Sequence, residues 1–289
     1  MTNLALSLFT FSILFVISAL AENSAKIGIL EYSKTPASPG EESKEIRTVR
    51  AVFYKKNGKW TTDNQAFKKT TWTVTFDGKN IGEVTTDNDD KTATSISRIG
   101  LQKITSPVDK TPSIGKLSDE FSTWTDQRVY LPLVLTTGKF NNDPEKWKPA
   151  KLTKELEVDV RKQFRKNFPD VKNCEDPSSP YKDWKYTDKD LKIVKAYKNT
   201  NDLKVVGLDL GPYNCDGPPE VAYSRAWYLI KRNGNIEYLD SGMTLVDAGD
   251  YDNDGNSELI FQVSRYNRGG YIMYTDNLTN HTDFLFSYH

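Results

Sequence analysis

The chain has 289 residues, in which 39 Lys and Arg balance 39 Asp and Glu, and it contains only two cysteines. With zero net charge and basic residues scattered among acidic ones, it carries no electrostatic footprint for nucleic acid or an anionic membrane surface. Fifteen Tyr, thirteen Phe and six Trp favour strands, and they also suit sugar-binding or protein-binding surfaces.

Residues 4–20 form an uncharged apolar run that ends in Ala19-Leu20-Ala21, the small-x-small pattern of a secretory leader. A signal peptide over residues 1–21 is therefore expected, with cleavage before Glu22 and a secreted or periplasmic location. At about 17 residues the run is near the minimum for a spanning helix, which makes a retained anchor the alternative. No later stretch reads as a span, so none is expected after cleavage. About 268 residues then remain, enough for one large β domain or two smaller ones.

Residues 22–145 read as an N-terminal β-rich domain. The strand-like Ile27 to Tyr32 is followed by a loop broken by Pro36, Pro39 and Gly40. Val49 to Tyr54 and Trp60 to Thr62 flank Asn57-Gly58, and Trp72 to Phe76 and Ile81 to Thr85 flank Asp77-Gly78. Both dipeptides predict type I′ hairpin turns. Strand character returns at Ser95 to Ile104 and Val129 to Thr136, where Pro132 predicts an edge or a bulge.

Residues 146–185 read as a helical linker. Leu152, Leu156, Val160 and Phe164 recur every four positions among Lys, Glu and Arg, which predicts an amphipathic helix that ends before Pro169. Cys174 and Cys215 are expected to form one disulfide in an exported chain. Closing a loop of about 42 residues would stabilise it by about 4 kcal/mol.

Residues 186–289 read as a C-terminal β domain of successive hairpins. Leu191 to Tyr197 and Leu203 to Gly207 flank a polar turn, and Trp227 to Ile230 and Ile236 to Leu239 flank Asn233-Gly234. Glu258 to Val263 and Tyr271 to Tyr274 flank Asn267-Arg268-Gly269-Gly270. A weak internal repeat at a spacing of about 38 residues aligns Asp216-Gly217-Pro218-Pro219-Glu220 with Asp254-Gly255-Asn256-Ser257-Glu258.

Within this part, Asp250-Tyr251-Asp252-Asn253-Asp254-Gly255-Asn256-Ser257-Glu258 places carboxylates at alternating positions just before the apolar run Leu259-Ile260-Phe261. Calcium is a hard cation that takes six to eight oxygens, and Asp250, Asp252 and Asp254 would supply side-chain ligands from a tight turn. Gly255 permits the positive-φ bend, after which the Asn256 carbonyl and the Glu258 carboxylate would close the shell. Phe261 at position 12 excludes an EF-hand. No Lys or Arg lies within the loop, so without an ion like charges about 5 Å apart would repel by about 3 kcal/mol per pair at an effective dielectric near 20. The alternative is a solvated Asp/Asn/Gly turn between two strands.

Gly249-Asp250-x-Asp252-x-Asp254-Gly255-x-x-Glu258 followed by Leu259-Ile260-Phe261 resembles the FG-GAP or VCBS calcium repeat of integrin-α-like propellers. Glu258 stands where that family usually has Asp. The resemblance implies a blade-like antiparallel unit stabilised by calcium, usually in extracellular binding proteins or in modules attached to carbohydrate-active enzymes. The expected fold is thus mainly β, with antiparallel hairpins in two β-rich parts joined by one amphipathic helix and a blade-like C-terminal part. A single degenerate propeller is the alternative.

Neither His281 nor His289 belongs to a nucleophile motif, and no catalytic residue is singled out. The preferred reading is a secreted or periplasmic calcium-binding β protein, a non-enzymatic module for an extracellular protein or glycan. A secreted carbohydrate-active lyase or hydrolase with a structural calcium is the alternative, and it would need convergent carboxylates or a Tyr/Arg pair in a pocket away from the loop.

Overall fold

Alternating apolar and polar residues, punctuated by Gly, Asn and Asp, give a mainly β, antiparallel architecture with one α-helix among the described residues. The computed structural model describes residues 25–34, 45–62, 68–89, 100–115, 120–121, 130–173, 182–183, 185–211, 225–265 and 267–287. The expected leader, Cys174, Cys215 and the earlier acidic copy at 216–220 lie outside them.

The first sheet contains β1 (Lys26–Lys34), β2 (Glu45–Lys56), β3 (Lys59–Thr61), β4 (Thr70–Phe76), β5 (Lys79–Asp89), β6 (Leu101–Ile104) and β7 (Leu133–Thr136). Its hydrogen-bonded order is β1-β7-β4-β5-β6-β2-β3, and β2 also pairs with β1, so six strands pair in a ring from which β3 extends. Asn57 and Gly58 have φ of 53° and 75°, and Asp77 and Gly78 have 50° and 65°. Positive φ at both central residues is the type I′ geometry expected of those hairpins. β7 pairs with β1 on one side and β4 on the other, so it is no edge strand. Pro132 is tolerated because it precedes the ladder and interrupts none of its bonds.

The helix α1 (Lys154–Asn167) starts at Thr153, whose hydroxyl accepts from the Leu156 N–H at 3.4 Å. Capping satisfies one orphan donor of the first turn. Val160 and Phe164 are buried against Leu191, Val206, Leu208 and Tyr228, so the stripe packs on a sheet. That sheet holds β8 (Lys148–Pro149), then, beyond the small ladder of β9 (Lys172–Asn173) and β10 (Lys182–Asp183), β11 (Leu191–Lys198), β12 (Lys204–Leu210), β13 (Ala226–Ile230) and β14 (Ile236–Asp240). Its order is β14-β13-β12-β11-β8.

The last four strands, β15 (Met243–Gly249), β16 (Glu258–Arg265), β17 (Arg268–Thr275) and β18 (Asn280–Ser287), pair in sequence order as a four-stranded meander. This sheet is covered on both faces. Leu259, Phe261, Val263, Ile272 and Tyr274 share a core with Val205, Trp227 and Leu229 of the second sheet. Ile260, Tyr271, Met273 and Phe284 share another with Ile27, Ile29, Phe53 and Val134 of the first. Burial on both faces explains the unbroken apolar runs of β16 and β17, where a half-exposed strand would alternate.

Two hairpins differ from expectation. Arg265 pairs with Arg268, so β16 and β17 come together closer to each other in sequence than expected, and Gly269 and Gly270 belong to the strand. Glycine is needed there for close approach: a Cβ on Gly270 would lie 2.0 Å from the Phe284 carbonyl oxygen. Between β13 and β14, Gly234 alone of the Asn-Gly pair has positive φ, in a longer loop closed by the Lys231 N–H donating to Asn235 O at 2.9 Å.

Candidate metal centre

The acidic loop spans residues 250–257, between β15 and β16, and is anchored from inside by Tyr251. Its side chain is fully buried in the core between the first and last sheets and stacks on Phe140 with ring centroids 5.8 Å apart. Its carbonyl accepts from Thr136 Oγ1 at 3.0 Å, and its N–H donates to Glu258 Oε2 at 2.9 Å. Asn253 and Gly255 turn the chain with φ of 62° and 91°.

With the backbone turned this way, one carboxylate oxygen each from Asp250, Asp252 and Asp254 lies within 4.8 Å of the others. Asp250 is fully buried. Its Oδ1 accepts from the Asp254 N–H at 3.0 Å, and its Oδ2 accepts from the Gly255 N–H at 2.9 Å and Asn141 Nδ2 at 3.3 Å. Asp252 Oδ1 accepts from the Asp254 N–H at 3.2 Å. The Asn256 amide group donates to Asp254 Oδ1 at 3.1 Å, so that side chain turns toward the loop.

Glu258 opens β16 and is 2% exposed. Burial pushes its carboxyl up to about 9, with the charges of Asp252, Asp254 and Asp250 adding to the rise and the Tyr251 N–H opposing it. Burial also raises Asp252, against a hydrogen bond from Lys55. Loss of hydration is the leading cause in both, and crowding of like charges adds to it.

Counter-charge reaches the loop from 197 positions away in the chain. Lys55 of β2 places Nζ 2.6 Å from Asp252 Oδ2, whose side chain is 1% exposed. Burial lowers the lysine, but the hydrogen bond to Asp252 and the charges of Asp252, Asp254 and Glu258 outweigh it, and the ammonium is held above its ordinary range. The loop itself holds no Lys or Arg, and the cation that reaches it comes from another sheet. No local sequence signal marks Lys55, because only the pairing of the sheets brings it there. Asp143 was equally hidden: its Oδ1 accepts from Ser257 Oγ at 2.6 Å and from the Lys146 N–H at 2.9 Å, which ties a connecting segment to the end of the loop.

The donor set fits a hard divalent cation. Calcium–oxygen distances of about 2.3–2.6 Å place ligands on opposite sides of an ion about 5 Å apart, comparable with the span of the three carboxylates. Oxygen donors suit Ca²⁺, Mg²⁺ or Mn²⁺ over softer ions. Asp250, Asp252 and Asp254 would hold the ion, which would supply charge neutralisation. No protein-family model matches the chain, and comparisons with curated proteins and with solved structures give no match.

Proposed function

We propose that this chain is an exported calcium-binding β protein that acts without catalysis, as a binding module for an extracellular protein or glycan. The convergence of Asp250, Asp252 and Asp254 within 4.8 Å, on a loop rooted through Tyr251 in the core between two sheets, carries the reading. An ion there would fix the connection between β15 and β16 and hold the last sheet against the first. The FG-GAP or VCBS pattern supports the same reading, and so does the four-stranded meander of β15 to β18, which has the strand order of a propeller blade.

The test is thermal unfolding of the chain in chelator and in rising CaCl2, with MgCl2 as comparison. Ligand binding to the folded state alone stabilises by about 2.7 kcal/mol at a hundred times Kd. Calcium is expected to raise Tm, and magnesium to do so less because it loses its waters reluctantly. Superimposable curves in chelator and in millimolar calcium would overturn the proposal.

A further inference from the structure

Lys55 belongs to the β2–β3 hairpin, where it pairs with Trp60, and its ammonium lies 5.9 Å from the centroid of that indole ring. The same ammonium occupies Asp252 Oδ2 at 2.6 Å, with the lysine side chain only 26% exposed. A cation is thus already seated in the acidic cluster, delivered by a different sheet. A divalent ion on either oxygen of Asp252 would lie within a few ångströms of this ammonium, and little water reaches the carboxylate to screen the repulsion.

We propose, resting on the reading of the loop as a metal site, that Lys55 is an internal competitor for the ion. Its ammonium neutralises Asp252 when no metal is present and is displaced when metal binds. Two consequences follow. Lys55 weakens the affinity of the loop, and the displaced side chain moves relative to Trp60, so the β2–β3 hairpin reports occupancy.

The experiment is calorimetric titration of the full chain with CaCl2, using wild type, K55M, K55Q and K55R. K55M keeps the apolar stem beside Trp60 without the charge and is expected to bind about tenfold more tightly than wild type. K55Q carries the same expectation and covers the case in which Met disturbs the fold. K55R keeps the charge and should stay within about threefold of wild type. The calcium-dependent change in tryptophan emission that W60F removes should also disappear in K55M.

Wild-type binding with unchanged or weaker affinity in both K55M and K55Q would overturn the role of Lys55 and leave the metal reading standing. Silence in every variant up to about 10 mM calcium, beyond the range of extracellular sites, would overturn both. Binding by K55M where wild type shows none would support the competition directly. D254A should abolish binding in each background, and binding that survives it would place the ion elsewhere and overturn the inference.

Discussion

Tyr251 and Glu258 close the acidic loop on itself: the tyrosine N–H donates to Glu258 Oε2 at 2.9 Å, across the mouth of the connection between β15 and β16. Tyr251 also fills the core between the first and last sheets, with no exposed surface. Loop shape and core packing therefore rest on one residue. Y251A is expected to cost about 3–5 kcal/mol, the range for emptying a buried aromatic site, and to abolish metal-dependent stabilisation as well. Urea unfolding in chelator and in calcium measures both losses. A variant that loses the calcium response at undiminished stability would show that the ring does not anchor the loop.

Asp250 and Asp254 should separate the structural role of the loop from the proposed ion binding. Asp250 is buried and accepts three hydrogen bonds, from the Asp254 and Gly255 backbone and from Asn141. Asp254 is exposed. D254A is expected to leave stability in chelator unchanged or raised by up to about 1 kcal/mol, since it removes a like charge from the ion-free cluster, while removing most of the calcium-induced rise in Tm. D250A should destabilise by about 1–3 kcal/mol even in chelator, because it removes the buried acceptor of three hydrogen bonds. Equal behaviour of the two variants in chelator would contradict this division.

Much of the fold is legible locally. Asn57-Gly58 and Asp77-Gly78 announce their hairpins through a positive φ that few other residues tolerate, and Leu156, Val160 and Phe164 announce the helix through their spacing. The alternating acidic residues likewise mark the loop. What escapes is non-local. Lys55 reaches Asp252 only because β2 and the last sheet share a core, and Asp143 reaches Ser257 across 114 positions. Gly270 of β17 misleads for a related reason: the neighbour that demands it is the backbone of β18, which its own sequence surroundings do not reveal.

Gly270 and Gly58 illustrate the contrast in one experiment. Gly270 has φ of 140°, and a Cβ there would meet Phe284 O at 2.0 Å and the Phe284 carbonyl carbon at 3.0 Å. Backbone on both sides cannot retreat without breaking the β17–β18 ladder. G270A is expected to cost more than about 3 kcal/mol or to prevent folding. Gly58 has φ of 75° with nothing within 4 Å of an added Cβ. G58A should cost about 1 kcal/mol, from backbone strain alone. Denaturant midpoints compare the two, and a mild effect at Gly270 would refute the close approach of β18.

Asp247 predicts a dependence on pH that lies outside the acidic loop. Its Oδ1 accepts from the Asp77 N–H at 3.2 Å, joining β15 to the β4–β5 turn, and its Oδ2 is enclosed by protein. Burial pushes the carboxyl up to about 7, with the nearby Asp77 charge adding and hydrogen bonds from the Ala248 and Asp77 backbone opposing. The folded-state value exceeds the ordinary 3.8, so the folded protein binds more protons than the unfolded chain between those limits. Stability from this group is full below about pH 4, is lost as pH rises toward 7, and stays lost above. D247N keeps an acceptor for the Asp77 N–H without the charge. In chelator it should therefore gain on wild type by about 1–2 kcal/mol between pH 5 and pH 8, a figure reduced for partial solvent access. Urea unfolding at the two values decides it: a gap between variant and wild type that stays constant with pH would mean that Asp247 ionises without cost.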